Sequence, residues 1–184
     1  ALHYARQYGV KVTPDRVLVT AGTSPAMWML FAMLLEAGDE VILSDPHYAC
    51  YPNFIRFCGG RTVCVDVLEE DGFQFRPEDV RQKISPRTKA ILINSPANPT
   101  GGVVSRQEIT KLAHGLARFP NVAILSDEIY SHQVYDGVDF VSFLSFPELR
   151  DRTIILDGWS KTFAMTGWRL GFGIWPKHLI EYVK

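Results

Sequence analysis

The sequence predicts an α/β fold with three layers, in which helices cover both faces of a mostly parallel sheet of seven strands. Apolar runs typical of buried strands alternate with helical segments over most of the 184 residues, which is the pattern of a parallel sheet covered on both sides. Polar residues recur just past the carboxyl ends of these runs, where ligands bind in open α/β sheets. The length suits one large core, and no repeat, linker or low-complexity tract divides the chain.

Seven apolar runs predict the strands. Their aliphatic and β-branched residues, bounded by turn residues, are typical of strands buried within a sheet. The predicted strands are residues 16–20, 41–44, 62–67, 89–94, 122–126, 153–156 and 168–175.

The helices are predicted from start and stop signals between these strands. Residues 26–35 form an apolar helix with Ser24 as its N-cap and Gly38 at its end. Ser105, followed three residues later by Glu108, makes a capping box for a helix that extends to about residue 119. Shorter helices are predicted at residues 49–58, 76–85 and 177–184, and a longer loop at residues 136–150.

Composition argues against several classes of function. The net charge of −1 gives no electrostatic reason to expect nucleic acid or an anionic membrane as a partner. No apolar run is long enough to span a bilayer, and the first residues do not have the pattern of a signal peptide. Cys50, Cys58 and Cys64 show no CxxC spacing, so we predict reduced thiols in a cytoplasmic protein and no metal site.

The most informative stretch is residues 157–171. Ser160 and Lys161 follow an apolar strand, and Lys161 and Arg169 are the only charged residues between Gly158 and Leu170. Burial among small and apolar residues would lower the pKa of the lysine, which makes an amine a nucleophile able to form a Schiff base. The guanidinium of Arg169 suits a phosphate group. Each residue alone is more often an ordinary surface group, but together they indicate pyridoxal phosphate (PLP).

Other polar residues at strand ends match the remaining groups of PLP. Asp127 can hold the pyridine nitrogen protonated, so that the ring acts as an electron sink. Asn98 and Tyr130 can donate to the phenolic oxygen of the ring, and Tyr48 can stack on its face. The phosphate is assigned to a predicted helix end and the residues around Lys161, namely Gly22, Thr23, Ser24, Ser160 and Arg169.

Each of these residues also has an ordinary structural explanation. Asp127 could be a helix cap or a surface turn, Asn98 precedes a proline as turn residues often do, and the tyrosines could simply pack. Their common place at the carboxyl ends of parallel strands favours a ligand site, because those ends lie along one edge of the sheet.

Taken together, the motifs resemble those of the class I/II PLP-dependent aminotransferases, the aspartate aminotransferase-like proteins of fold type I. The motifs occur in the family's order and cover nearly the whole chain, at residues 21–23, 45–48, 94–101, 126–130 and 160–171. The resemblance implies that residues 1–184 are the large, PLP-binding domain of such an enzyme, with one antiparallel strand in its sheet. Because the sequence starts at Ala1 without a methionine and stops at Lys184 inside a predicted helix, we expect a piece of a longer polypeptide.

The resemblance also implies an activity, the transfer of an amino group between an α-amino acid and a 2-oxo acid. Lys161 would form the internal aldimine and shuttle the proton, Asp127 would pair with the pyridine nitrogen, and Tyr130 and Asn98 would contact the ring hydroxyl. In this family an N-terminal segment closes over the site, a C-terminal small domain grips the substrate carboxylate, and a homodimer completes the site. We expect both segments to lie outside residues 1–184 and the piece alone to be inactive.

Two residues depart from the family pattern. Ala97 stands where relatives often carry a second asparagine, and Trp159 is bulky where a smaller residue is usual, so that it either narrows the pocket or packs outward.

Two other functions fit the same motifs: a PLP-dependent lyase or synthase, and an effector-sensing domain of a transcription regulator. The second would need a basic helix-turn-helix upstream of Ala1. The sequence does not identify the amino donor or acceptor.

Overall fold

The computed structural model describes residues 1–183, whose strands form one mixed sheet in the order β1-β7-β6-β5-β4-β2-β3. The strands are β1 (Val17–Thr20), β2 (Glu40–Asp45), β3 (Arg61–Asp66), β4 (Thr88–Asn94), β5 (Ala123–Asp127), β6 (Thr153–Gly158) and β7 (Gly171–Ile174). The helices are α1 (Leu2–Tyr8), α2 (Thr23–Leu34), α3 (Tyr51–Phe57), α4 (Pro77–Lys83), α5 (Arg106–Leu116), α6 (Trp159–Thr162) and α7 (Lys177–Ile180).

The sheet is parallel except for β7, which runs antiparallel to both of its neighbours, β1 and β6. The predicted fold class and its single antiparallel strand are therefore confirmed. Asp127 at the end of β5 pairs in register with Asn94 of β4 and Leu156 of β6. Three central strands thus end at one edge, and the loops that follow them lie side by side.

Two apolar cores lie on the two faces of the sheet. One face packs against α1, α4 and α5 through residues such as Tyr4, Val80 and Leu112. The other packs against α2, α3 and α7, with Leu30 and Ile55 among its buried residues. Strands β5 and β6 are buried along their whole length, which explains why they are read in the sequence as continuous apolar runs.

Several predicted boundaries differ from the structure. Helix α2 begins at Thr23 with Gly22 as its N-cap and ends at Leu34, so Ser24 lies in the first turn and is not the cap. Gly22 has a φ of 93°, a conformation that favours glycine and lets the helix start almost directly after β1. The end predicted at Gly38 is likewise wrong. The capping box is confirmed in part, since the Ser105 hydroxyl accepts a hydrogen bond from the Glu108 amide at 3.2 Å.

The two ends of the chain also differ from expectation. Helix α1 has no counterpart in the prediction, because it is short and Tyr4 is its only buried residue. The last predicted helix, residues 177–184, is a four-residue helix, Lys177–Ile180, and Lys184 lies outside the described residues. None of the helices in residues 1–183 is long and apolar enough to cross a membrane.

Candidate active site

A cavity of about 210 Å³ opens at the carboxyl edge of the sheet. Every residue predicted to bind the cofactor lines it: Gly22, Thr23, Ser24, Tyr48, Asn98, Asp127, Tyr130, Ser160, Lys161 and Arg169. The remaining lining residues were not predicted and are Tyr51, Asn94, Ile129 and Thr166. Asn94 could have been found, because it ends an apolar strand in the same way as Asp127. Tyr51 lies within a helix and gives no such signal.

Asp127 presents a buried carboxylate to this cavity, with only 5% of its surface exposed. The Tyr51 hydroxyl donates to its Oδ2 at 2.7 Å, and the Ile129 amide donates to its Oδ1 at 3.3 Å. Burial raises the pKa of Asp127 to about 6, although both hydrogen bonds act in the opposite direction. No lysine, arginine or histidine among residues 1–183 forms an ion pair with it, so the carboxylate can accept a cationic N–H from a ligand.

Two tyrosines stand beside Asp127. Burial raises the pKa of Tyr51 well above its ordinary value, and the neighbouring charge of Asp127 adds to this effect, so its hydroxyl stays a donor. Tyr48 meets Tyr51 edge to face, with ring centroids 5.3 Å apart and planes at 79°. Tyr48 is partly exposed at the cavity wall, where its ring can cover a flat ligand.

Asn94 fixes the loop that carries Asn98. Its Nδ2 donates to the Asp127 carbonyl at 3.0 Å, and its Oδ1 accepts from the Asn98 amide at 2.8 Å. The Asn98 side chain in turn donates to the Tyr130 hydroxyl at 3.4 Å. Asn98 and Tyr130 therefore place an amide and a hydroxyl next to each other, as two donors to one ligand oxygen require.

Lys161 lies in the short helix α6, directly after β6. Its Nζ is 5.7 Å from the centroid of the Tyr130 ring. The prediction that Lys161 is buried is wrong for the described chain, since its side chain is exposed at the open side of the cavity. Trp159 does not narrow the cavity: it packs edge to face on Phe172, at 5.3 Å between ring centroids, and lines a different cavity.

Arg169 and the start of α2 form the other wall. The guanidinium donates to the carbonyls of Thr166 at 3.0 Å and Ala21 at 3.3 Å. A Cβ at Gly22 would lie 2.4 Å from Nη2 of Arg169, and a Cβ at Gly171 would lie 2.5 Å from the backbone of Gly22. Only glycines allow this close approach, which brings a fixed positive charge to the free amides at the N-terminus of α2.

The donor set fits PLP. The buried carboxylate of Asp127, which has no ion-pair partner within residues 1–183, suits a protonated pyridine nitrogen, and the adjacent Asn98 and Tyr130 suit a phenolic oxygen. Arg169, with the amides of α2, suits a phosphate dianion, and the exposed amine of Lys161 suits an aldehyde. No group of three or more potential metal ligands is assembled within residues 1–183.

Two further carboxyl groups are buried on the opposite face of the sheet, behind this cavity. Burial raises the pKa of Asp157 to about 7 and that of Glu128 to about 8. The charge of Asp127 contributes to the rise at Asp157, and the charge of Asp157 contributes to the rise at Glu128. Both groups therefore hold protons that an unfolded chain would release near pH 4.

We expect the unfolding free energy of the full-length apo-protein to fall as the pH rises from about 5 to about 8. Over this range the two carboxyl groups bind more protons in the folded state than in the unfolded state. Their contribution to stability is therefore complete below the pKa that they have in the unfolded chain and is lost as the pH rises through the pKa that they have in the folded chain. Each group should lower the unfolding free energy by roughly 1 kcal/mol per pH unit. Urea denaturation across this range measures the slope. Asp157→Asn should reduce this slope by the contribution of about one proton released on unfolding. An unchanged slope would contradict the assignment.

Comparison with known proteins places the chain in a family. The family model for "Aminotransferase class I and II" matches residues 1–184. The chain belongs to this family. The chain is 43% identical over 178 residues to the aspartate/prephenate aminotransferase of Thermus thermophilus, a match that covers 97% of this chain and 45% of that protein. It is 42% identical over 184 residues to the aspartate aminotransferase of Geobacillus stearothermophilus, again with 97% and 45% covered.

Solved aminotransferase structures share its fold. The aspartate aminotransferase of Thermus thermophilus with maleate matches it with a TM-score of 0.92 at 41% identity, over 99% of this chain and 47% of that one. The resemblance to fold type I aminotransferases is therefore confirmed. The chain spans about 45% of the length of these curated relatives.

Proposed function

We propose that the full-length protein is a PLP-dependent aminotransferase that moves an amino group between an α-amino acid and a 2-oxo acid. One observation carries the proposal: within residues 1–183, a buried carboxylate without an ion-pair partner, an amine, and the N-terminus of α2 beside Arg169 line the same 210 Å³ cavity. The family membership supports it independently. The names of the relatives, aspartate and aspartate/prephenate aminotransferases, favour amino acids of that class as donors.

The proposed roles follow from the contacts of each side chain. PLP, when bound, supplies an electron sink and a carbonyl carbon that reacts with amines. Asp127, held by Tyr51, would keep a positive charge on the pyridine nitrogen, and Tyr130 with Asn98 would donate to the ring hydroxyl. Lys161 would hold the cofactor covalently and then carry a proton away from the α-carbon of the substrate. The phosphate would bind at the start of α2 and beside Lys161, to Gly22, Thr23, Ser24, Ser160 and Arg169.

The remaining parts of the enzyme are also proposed. We assign residues 1–184 to the large domain, and we expect the rest of the polypeptide to supply the group that binds the substrate carboxylate. The length of the relatives, of which this chain covers about 45%, supports that division. A homodimer, and a cytoplasmic location suggested by the cysteine pattern, remain predictions.

The decisive assay uses the full-length protein with PLP, a panel of amino donors and 2-oxoglutarate as acceptor. We expect a 2-oxo acid to form in equal amount to the new amino acid, with aspartate among the donors. A lyase would instead release ammonia without any transfer to the acceptor, and that result would overturn the proposal.

Tyr51→Phe tests how the cavity holds Asp127. The variant keeps the buried ring but removes the hydroxyl that donates to Oδ2 at 2.7 Å. Losing this charge-assisted bond should raise the pKa of Asp127 further and weaken PLP binding by about tenfold. Titration of the apo-protein with PLP measures the change. Tyr182→Phe, at an exposed tyrosine outside the cavity, is the matched control and should bind PLP normally.

A further inference from the structure

We propose that Glu128 is a positioning residue of this site: its carboxyl group, on the opposite face of the sheet from Asp127, anchors the backbone that carries Asp127 and Tyr130. The inference rests on the proposed binding of PLP in the cavity. Glu128 does not line that cavity, so it would act only through its neighbours.

The carboxyl group of Glu128 joins three parts of the fold. Its Oε1 accepts hydrogen bonds from the hydroxyls of Ser126 and Ser142, both at 3.0 Å, and from the amide of Phe143 at 3.1 Å. Its Oε2 lies 3.5 Å from the hydroxyl of Tyr4. Strand β5, the segment at 142–143 and helix α1 therefore meet at one side chain, which is only 1% exposed.

The backbone of Glu128 is also held on both sides. Its amide donates to the Leu156 carbonyl at 2.8 Å, and its carbonyl accepts from the Ser131 amide at 2.9 Å. Because successive side chains of a strand point to opposite faces, an anchor at Glu128 fixes the direction in which Asp127 faces the cavity. The turn that follows carries Ile129, whose amide donates to Asp127, and then Tyr130.

The anchor works without a cationic partner. Among residues 1–183, no lysine, arginine or histidine pairs with Glu128, and burial raises its pKa to about 8. At neutral pH the group is therefore a protonated acid whose Oε1 serves as an acceptor. A glutamine has the same shape and an equivalent carbonyl oxygen, so it should replace the glutamate, whereas alanine leaves three buried donors without an acceptor.

Glu40 provides a matched control at the other end of the sheet. It is 3% exposed and accepts hydrogen bonds from Ser85 at 2.5 Å and Thr88 at 3.4 Å, in addition to its ion pair with Arg61. It opens β2, at the amino edge of the strands, away from the cavity. Glu40→Ala thus removes a buried acidic side chain with a similar number of hydrogen bonds, without touching the backbone of the site.

The experiment compares full-length Glu128→Gln, Glu128→Ala and Glu40→Ala by Tm, by PLP affinity and by the visible circular dichroism of bound PLP. We expect Glu128→Gln to bind PLP within about twofold of the parent protein, because its oxygen keeps the three donors satisfied. Glu128→Ala should bind about tenfold more weakly or worse, with an altered dichroic spectrum. Glu40→Ala should lower the Tm but leave affinity and spectrum unchanged.

Hydrogen exchange of the apo-proteins separates this inference from the proposed function. Glu128→Ala, but not Glu40→Ala, should speed exchange at the Ile129 and Ser131 amides, whether or not PLP binds. If the parent protein fails to bind PLP, the proposed function falls, and exchange still tests the anchor. Unchanged exchange and PLP affinity in Glu128→Ala would overturn the proposal, as would a glutamine variant as impaired as the alanine variant. If Glu128→Ala does not fold, Ser142→Ala, which removes one of the three donors to Oε1, should change exchange and PLP affinity in the same direction by a smaller amount, and no change in either would overturn the proposal.

Discussion

Lys161→Ala is expected to abolish covalent attachment of PLP in the full-length protein, together with the visible absorption band of the attached cofactor. Among residues 1–183, Lys161 is the only lysine that lines the cavity, and the proposed chemistry needs an amine there both as nucleophile and as proton carrier. Loss of the proton carrier alone should lower the rate by at least about a thousandfold. Absorbance after dialysis and a transamination assay measure both effects.

A control for this substitution is available on α7. Lys177 is exposed at the start of that helix and does not line the cavity, so Lys177→Ala should keep the band and the activity. A band that persists in Lys161→Ala, with cofactor still covalently bound, would show that another amine carries it.

Asp127→Ala is expected to cost far more activity than Glu128→Ala. Asp127 faces the cavity and would stabilise a positive charge on the pyridine nitrogen, whereas Glu128 points to the other face and acts through the backbone alone. Removing a buried charge partner at the reacting group should lower kcat/KM by a hundredfold or more, roughly several kcal/mol. Steady-state kinetics of both full-length variants with one donor provide the measurement.

Asp127→Asn separates charge from shape. The amide oxygen can still accept from Tyr51, but the side chain carries no negative charge. We therefore expect a loss close to that of the alanine variant. Similar small losses for Asp127→Ala and Glu128→Ala, or an asparagine variant as active as the parent, would mean that Asp127 does not act on the cofactor.

The fold and the position of the cavity could be predicted from the sequence because both depend on local signals. Residues 122–126 and 153–156 are apolar without interruption, as strands buried on both faces must be. Residues that follow such strands in a parallel sheet lie along one edge, so Asp127 and Lys161 could be assigned to a common place without knowledge of the loops.

The contacts that refine the site could not be predicted, because they join residues that are distant in sequence. Tyr51 and Asp127 are 76 positions apart, and Tyr4 and Glu128 are 124 apart. The direction of Glu128, away from the cavity, follows from strand alternation, but its burial depends on the segment at 142–143, which has no regular pattern. The exposure of Lys161 likewise depends on what covers the cavity.

Asp127 and Glu128 point to opposite faces of the sheet. The register of β5 with its neighbours therefore determines which of the two acids reaches the cavity. A slip of this strand by one residue would exchange the two faces, and the chain would then offer a glutamate to the cavity and an aspartate to α1. Both acids would remain, yet the shorter side chain would fall short of the donors at Ser142 and Phe143, while Leu125 would lose its apolar surroundings. Two neighbouring acids of unequal length thus let the fold discriminate between the correct alignment and its nearest error.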